Sequence, residues 1–248
     1  MARYFIEVAY KGTAYAGFQI QQNANTIQAE VEKALHIYYR QLFELTGSSR
    51  TDAGVHAQQN YFHFDTELII DTHVAEKAIY HLNAILPNDI VVKSLRQVPN
   101  DAHCRFDAIR RSYQYNVYQS KNPFIDDSAY YFPYALNIDT LNKAAAILLR
   151  HSNFQSFSKK NTQVFTYECN LTKSHWTLQN KTLLFEVTGN RFLRGMVRGL
   201  VGTMLQVGRG KYSLEKFKNI IESKLNTDVD FSVPAKGLTL KEVAFNSL

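Results

Sequence analysis

Apolar and polar residues alternate over residues 3–10, and this period of two predicts a strand with one buried face. The pattern changes to helical spacing after Thr26, whose hydroxyl can cap the first turn of a helix. The apolar positions of this predicted helix are Ile27, Val31, Leu35, Tyr39 and Leu42. A short second strand is predicted at 43–46. The N-terminal region therefore predicts strand, helix and strand in succession.

A polar loop at 47–57 separates this strand from a further alternating strand at 59–65. Asp71 can cap the next helix, whose apolar positions are Val74, Ala78, Leu82 and Ile85. Pro87 follows the end of that helix, and residues 90–98 return to a strand pattern. The resulting order, β-α-β-β-α-β, is that of a ferredoxin-like unit.

The second half of the chain repeats this order loosely. Its predicted elements are a strand at 108–119, a helix at 138–150, a hairpin of 170–178 and 182–188 around Gln179-Asn180-Lys181, helices at 191–207 and 213–224, and a strand at 239–245. We therefore predict an α+β protein of two ferredoxin-like halves with antiparallel sheets, divided into 1–104 and 105–248. A central cleft between the halves is the expected place for a site.

Composition narrows the class of protein. Of the 248 residues 45% are hydrophobic, yet no apolar run is long enough to span a bilayer. The two cysteines, Cys104 and Cys169, suit a reducing compartment, so the cytoplasm is the expected location. Lysine and arginine number 28 against 22 acidic residues, and 15 Tyr and 16 Phe accompany them. Because cations hold phosphates and rings stack on unpaired bases, this composition is compatible with a nucleic-acid partner.

The loop at 47–57 concentrates groups that could carry chemistry, namely Arg50, Thr51, Asp52 and His56. A nearby arginine favours the ionised form of a carboxylate, and an ionised, oriented aspartate can act as a nucleophile. The alternative is a polar turn with an incidental surface ion pair. Spacing alone favours that alternative, so these residues need a further argument.

Two other groups of residues could face the same site. Arg111, Tyr113 and Tyr115 alternate in a predicted strand and would place a cation and two rings on one face. In the helix predicted at 191–207, three arginines recur at i, i+3 and i+7 and would form one stripe; they are Arg191, Arg194 and Arg198. Ordinary strand packing and a solvated helix face are the competing interpretations.

Three histidines raise the question of a metal site, namely His56, His63 and His103. Their neighbours do not form a set of metal ligands, and His63 alternates within a strand like a buried aromatic residue. We therefore predict no metal, and we expect His56 to hold the loop by hydrogen bonding.

Seven ordered segments, spread over nearly the whole chain, resemble the tRNA pseudouridine synthase A (TruA) family. They are Tyr10–Gln19, Arg50–His56, Asn83–Ile90, Ala102–Ala108, Arg111–Tyr115, Phe192–Arg198 and Ala235–Leu238. The second, Arg50-Thr51-Asp52-Ala53-Gly54-Val55-His56, is similar to the family's signature. Two departures affect expected RNA contacts: Phe18 stands where tryptophan is frequent, and residues 165–169 lack the basic residues often found there.

The resemblance implies roles for individual residues. Asp52 corresponds to the family's nucleophile, Tyr113 to the tyrosine that packs on the target base, and Leu238 to a leucine of the base pocket. Arg50 corresponds to the arginine of the signature, and Arg198 to a second arginine near the catalytic carboxylate.

The resemblance also implies the activity. It implies an isomerase that converts uridine to pseudouridine at positions 38, 39 and 40 of tRNA, with neither a metal nor an organic cofactor. It implies a homodimer that binds the anticodon arm across both subunits. We expect Arg111 and Arg194 to contribute substrate-binding charge. Whether Asp52 attacks C6 of the base, attacks C1′ of the ribose or only assists a glycal route stays open.

Two other functions compete with this interpretation. A non-catalytic RNA-binding module would use the same aromatic strand faces, but it leaves the carboxylate of Asp52 unexplained because a carboxylate repels phosphate. A hydrolase that uses Asp52 with His56 would need a nucleophile elbow or metal ligands, and the sequence supplies neither.

Overall fold

The computed structural model describes residues 1–159 and 164–246. They divide into two compact units, Met1–Ile109 together with the segment from Leu240 onward, and Arg110–Thr239. The sequence predicted a division into 1–104 and 105–248. In the structure, the first unit extends to Ile109 and also includes the segment from Leu240 onward. Among the described residues, no helix is both long enough and apolar enough to cross a membrane.

The first unit follows the predicted order of elements. They are β1 (Ala2–Tyr10), α1 (Ile27–Tyr39), β2 (Thr46–Gly47), β3 (His56–Thr66), α2 (Thr72–Ile85) and β4 (Ile90–Val98). Strand β1 pairs antiparallel with both β3 and β4, and β2 pairs antiparallel with β3. The β-α-β-β-α-β prediction is therefore confirmed for this unit.

The last strand of the chain, β9 (Leu238–Phe245), neighbours β3 in the sheet. The ring of Phe245 lies 5.6 Å from that of Phe5 and 5.2 Å from that of Tyr61, measured between centroids. The backbone N–H of Val243 donates to Oε1 of Gln59 at 3.0 Å. These contacts explain why the end of the chain belongs to the first unit.

The helices of the first unit begin where their capping residues predict. The Thr26 hydroxyl accepts from the Ala29 N–H, and the Asp71 carboxylate accepts from the Val74 N–H. Helix α1 ends at Tyr39 because Arg40 adopts φ 60°, the left-handed conformation that terminates helices. The prediction that this helix extends to Leu42 is wrong, and Leu42 is 86% exposed. The predicted strand at 43–46 is also displaced, since β2 is Thr46–Gly47.

The second unit repeats the order with additions. Its elements are β5 (Ala108–Tyr118), β6 (Tyr130–Tyr131), α3 (Ile138–Leu148), β7 (Leu171–Gln179), β8 (Thr182–Gly189), α4 (Met196–Gly208) and α5 (Leu214–Ser223). Strand β8 pairs antiparallel with β5 and β7, and β6 pairs parallel with β5. Asn180 and Lys181 both have positive φ, as in the tight turn predicted for this hairpin.

The core of the second unit lies between its sheet and its helices. Helix α3 packs against β7 and α4, and α4 also packs against α5. Trp176 on β7 is buried with its ring centroid 5.0 Å from that of Phe185 on β8. Both units thus combine antiparallel strands with packed helices, and the predicted α+β class is confirmed.

Candidate active site

The side chain of Asp52 lies on a tight turn before β3. The Val55 N–H donates to the Asp52 carbonyl at 3.1 Å, which closes a four-residue turn. Gly54 adopts φ 78° within this turn, a conformation that glycine reaches without a steric penalty. Asp52 is half-buried, so part of the residue is exposed on a turn of defined shape.

A second loop, residues 11–18, packs its backbone against the Asp52 turn. The Phe18 N–H donates to the Thr51 carbonyl at 3.1 Å, and the Gly54 N–H donates to the Tyr15 carbonyl at 3.4 Å. A Cβ atom at Gly12 would lie 2.0 Å from the Val55 carbonyl oxygen, so no larger residue fits there without a shift of the backbone. The Asp52 turn is therefore held in place by a loop that is distant from it in sequence.

His56 connects the same two loops. It is buried, and its Nδ1 accepts a hydrogen bond from the Gly12 N–H at 3.1 Å. An acceptor Nδ1 means that the neutral ring carries its proton on Nε2. The expectation that His56 holds the loop by hydrogen bonding is confirmed, with the loop at Gly12 as its partner.

Asp89 anchors the far side of the 11–18 loop. Its carboxylate accepts from the Tyr15 hydroxyl at 2.5 Å, and its carbonyl accepts from the Lys11 N–H at 2.9 Å. Burial and the bond to Asp89 raise the pKa of Tyr15. A neutral tyrosine therefore stays a donor to Asp89 and keeps the loop attached to the start of β4.

Phe18, where the family often has tryptophan, is a core residue. Its ring is buried and stacks on Phe62 with 4.3 Å between centroids and on Tyr10 with 5.8 Å. The Phe62 ring belongs to β3, so this stack ties the 11–18 loop to the sheet. Phe18 therefore contributes to the packing under the loop.

The two charged residues of the signature do not pair with each other. Arg50 is exposed and Asp52 half-buried, and over residues 1–159 and 164–246 neither side chain has a hydrogen bond or an ion pair. The incidental surface ion pair of the alternative interpretation is thus absent from the described contacts, as is any direct bond by which Arg50 would hold the Asp52 carboxylate. Both charged groups keep their hydrogen-bonding capacity for another molecule.

Tyr113 and Arg111 lie on β5 in the second unit. The Tyr113 ring is half-buried and meets the Phe192 ring edge-on, with 5.0 Å between centroids and 79° between planes. Arg111 donates from a terminal nitrogen to the Asn190 carbonyl at 3.1 Å. The segment between β8 and α4 therefore contacts and supports both residues. The periodicity of the sequence did not predict these contacts.

Tyr115, expected to share an open face with Tyr113, is fully buried at 0% exposure. Its hydroxyl donates to the Pro234 carbonyl at 2.7 Å, and burial raises the pKa of this hydroxyl. A Cβ atom at Gly237 would lie 2.6 Å from the Tyr115 ring. The prediction that both rings line one open wall is wrong for Tyr115, which instead supports the turn that precedes Leu238.

Arg198 lies on the first turns of α4 and contacts the same segment. Its Nε donates to the Val233 carbonyl at 2.8 Å, and its charge acts on the Tyr115 hydroxyl. Leu238, the buried first residue of β9, follows this segment. The structure therefore brings Arg198, Tyr115 and the residues leading to Leu238 together within the second unit.

The predicted stripe of three arginines on one helix is wrong. Helix α4 begins at Met196 because Gly195, its N-cap, adopts φ 75°, which an α-helix does not contain. Arg191 and Arg194 therefore precede the helix that carries Arg198. Arg194 is exposed, and its carbonyl accepts from the Lys159 N–H at 3.0 Å.

His63, on β3, and His103 lie together in the first unit. Their ring centroids are 4.6 Å apart, and His63 Nδ1 lies 3.2 Å from the Cys104 sulfur. Burial, with smaller contributions from His103 and Arg3, lowers the pKa of His63 to about 4. The expectation of a buried, aromatic-like His63 is confirmed.

The lowered pKa of His63 predicts a loss of stability in acid. The unfolded chain takes up a proton near pH 6.5 whereas the folded chain resists it down to about 4, so the free energy of unfolding should fall as pH decreases between these values. The contribution of His63 to the free energy of unfolding is on the order of 3 kcal/mol at most. Urea unfolding at several pH values should show a shallower acid loss for His63→Gln. His73→Gln, at an exposed position, is the control, and an unchanged pH dependence in His63→Gln would refute the assignment.

The sequence argument did not single out Asn60 or Tyr10 as functional residues. Asn60 is 0% exposed and binds both Ser49 and Tyr10, whose hydroxyl lies 2.8 Å from Thr51 Oγ1. The sequence did contain an indication of Asn60: it is a polar amide on the strand face that also carries Phe62 and Phe64, where an apolar residue is expected.

Comparison with known proteins identifies a family. Residues 6–107 and 144–246 match the model of the family described as tRNA pseudouridine synthase. Arg50, Asp52, Arg198 and Leu238 lie within these segments, whereas Arg111 and Tyr113 lie between them.

Curated relatives match almost end to end. A protein named tRNA pseudouridine synthase A from Porphyromonas gingivalis is 42% identical over 250 residues, covering 100% of this chain and 98% of the relative. Its namesake from Bacteroides thetaiotaomicron is 43% identical over 249 residues, covering 99% and 91%. That from Staphylococcus aureus (strain N315) is 37% identical over 243 residues, covering 97% and 90%. With these matches extending through both units, the chain belongs to the tRNA pseudouridine synthase family.

Proposed function

We propose that this protein isomerises uridine to pseudouridine in the anticodon stem-loop of tRNA, at positions 38, 39 and 40, in the cytoplasm. The observation that carries the proposal is the placement of Asp52 in the family's signature segment. Its carboxylate projects from a turn fixed by the 11–18 loop and has no partner among the described residues. Relatives of nearly the same length carry the name of this activity.

The reaction needs positioned groups and no oxidant or energy source. The N1–C1′ bond of uridine breaks, the base turns and C5 joins C1′. The hydrogen on C5 leaves as a proton, and the freed N1 takes up a proton. Atoms and electrons balance within the substrate, so a carboxylate, a proton acceptor and a binding surface suffice. This agrees with the proposal that the enzyme works with neither a metal nor an organic cofactor.

The target base must first leave the stack, which costs roughly a few kcal/mol. Stacking on Tyr113 would return about 1–3 kcal/mol. The edge-on contact from Phe192 fixes the orientation of the Tyr113 ring for this task. Exposed Arg194 and half-buried Arg111 supply charge for phosphates, and Leu238 supplies an apolar wall for the base.

Asp52 is the proposed nucleophile or charge-stabilising group while the base is detached. Attack on C6, attack on C1′ and assistance to a glycal route are all compatible with a carboxylate at this position. We assign Arg50 and Arg198 to the stabilisation of negative charge in the loaded enzyme. The Val233 carbonyl orients the Arg198 guanidinium through Nε. Within the described part of the chain, the other N–H groups of Arg198 have no hydrogen-bond acceptor, and we assign them to the substrate.

The proposed assembly is a homodimer that binds one anticodon arm across both subunits. This follows from family resemblance. The basic balance of the chain, 28 Lys and Arg against 22 Asp and Glu, suits a polyanionic partner.

Release of tritium from tRNA transcribed with 5-tritiated uridine tests the activity directly, because joining C5 to C1′ displaces the hydrogen on C5. We expect release by the wild-type protein from a substrate with uridine at positions 38, 39 and 40. Replacing each uridine with cytidine in turn should lower the total release stepwise. Absence of release from all these substrates would refute the activity, and release unchanged by all three replacements would refute the positions.

A further inference from the structure

A buried carboxamide lies beneath the segment that carries Arg50 and Asp52. Asn60 occupies β3 with 0% exposure, two residues before the buried Phe62 on the same strand face. An amide buried in such surroundings costs free energy unless its polar atoms are bonded. Packing alone would favour an apolar side chain at this position.

Every hydrogen-bonding position of the Asn60 amide is used. Its Oδ1 accepts from the Tyr61 N–H at 2.9 Å and from the Ser49 N–H at 3.3 Å. Its Nδ2 donates to the Ser49 carbonyl at 2.8 Å and to the Tyr10 hydroxyl at 3.1 Å. Two acceptor and two donor bonds complete the capacity of a carboxamide.

The amide of Asn60 replaces a strand partner at the point where regular pairing stops. Strand β2 ends at Gly47, and the Ser48 N–H still reaches the Tyr61 carbonyl at 2.8 Å. The side chain of Asn60 then binds both backbone groups of Ser49, as a neighbouring strand would. The backbone is thus held to β3 up to the residue before Arg50.

The same amide reaches beyond Arg50 through a tyrosine. The Tyr10 hydroxyl accepts from Asn60 Nδ2 and lies 2.8 Å from Thr51 Oγ1 in a buried hydrogen bond. Ser49 and Thr51 are therefore both attached to Asn60, directly or through Tyr10. They flank Arg50, and Thr51 immediately precedes Asp52.

We propose that Asn60, Tyr10 and Thr51 are positioning residues, which set the backbone direction from which Arg50 and Asp52 project. The inference rests on the proposed function, because it assigns a purpose to the orientation of Asp52. A displacement of about 1 Å at a reacting group can lower a rate by about 100-fold. Loss of this network should therefore slow the chemical step and leave tRNA binding unchanged.

The test removes single hydroxyl groups, because replacement of Asn60 itself could prevent folding. Tyr10→Phe removes the hydroxyl that joins Asn60 to Thr51 and keeps the ring that stacks on Phe18. Thr51→Val removes the other hydroxyl, and Thr51→Ser restores it. We expect single-turnover tritium release at saturating tRNA to fall about 10- to 100-fold in Tyr10→Phe and Thr51→Val. Thr51→Ser should recover most of the rate, and the Kd for tRNA should not change.

Tyr4→Phe is the matched control on the same strand. Tyr4 is buried like Tyr10, and its hydroxyl is hydrogen-bonded as well: it donates to the Leu68 carbonyl at 3.3 Å and accepts from the Ile70 N–H at 3.0 Å. Both Tyr→Phe variants should lose similar thermal stability, and only Tyr10→Phe should lose rate. Equal rates in the two variants, or a tRNA Kd that weakens in step with the rate, would overturn the inference and leave the proposed function intact. No release by the wild-type protein would overturn both.

Discussion

Asp52→Asn is expected to abolish tritium release while the variant still folds and binds tRNA. The amide has nearly the shape of the carboxylate, and the turn is held by backbone bonds that the change leaves in place. The amide cannot act as an anionic nucleophile, so the rate should fall by about 10⁴-fold or more. Single-turnover release at saturating tRNA measures the loss, and filter binding measures the Kd.

The control for this loss is Glu67→Gln. Glu67 is an exposed carboxylate of the same unit, beyond the end of β3 that lies away from the Asp52 turn. The Glu67→Gln variant should release tritium at the wild-type rate. This result would distinguish the removal of any one negative charge from the removal of the Asp52 carboxylate. Asp52→Ala should resemble Asp52→Asn. Equal release by wild type and Asp52→Asn would keep the activity and remove Asp52 from its proposed role.

Gly12→Ala is expected to damage both stability and activity. The added Cβ would lie 2.0 Å from the Val55 carbonyl oxygen and 2.7 Å from its carbonyl carbon, and backbone atoms cannot rotate away as a side chain can. The 11–18 loop and the Asp52 turn must separate, which also stretches the bond from Gly12 to His56. We expect a loss of about 2–4 kcal/mol in unfolding free energy, measured in urea. Misplacement of Asp52 should lower the single-turnover rate of the folded fraction by about 100-fold.

Gly208→Ala supplies the comparison for Gly12→Ala. Its Cβ would lie 2.6 Å from Cδ2 of Leu141, a side-chain atom of the second unit that can move. This variant should lose some stability and keep the rate of its folded fraction. A Gly12→Ala protein that loses stability but releases tritium at the wild-type rate would show that the turn tolerates displacement.

Much of the fold follows from local sequence. The alternation of residues 3–10, the caps Thr26 and Asp71, and the turn at Asn180 predict elements that the structure confirms. Each depends on neighbours a few residues apart, for which periodicity and capping chemistry are sufficient. The same reasoning extended α1 to Leu42, because apolar spacing continued although the left-handed Arg40 ended the helix.

The candidate site depends on contacts between residues that are far apart in the chain, and the sequence predicted only part of it. The signature segment and the family resemblance indicated Asp52 and Tyr113, yet they could not show which groups support them. Gly195 has an ordinary sequence context, but its positive φ delays α4 and separates Arg194 from Arg198. Burial of Tyr115 against Gly237 arises from a contact between residues 122 positions apart in the chain (237 − 115), which no periodicity contains.

The sequence by itself therefore determined the α+β class, most elements of the first unit and the family. It also reduced the proposed chemistry to a few named residues in the Asp52 segment. Only the tertiary structure decided that Asn60 holds Ser49 and Tyr10, that Gly12 and His56 close the turn, and that Tyr115 supports the segment before Leu238. The reason is physical: helix and strand patterns reflect interactions between near neighbours. Hydrogen bonds such as that from Asn60 to Tyr10 depend on which strands become adjacent.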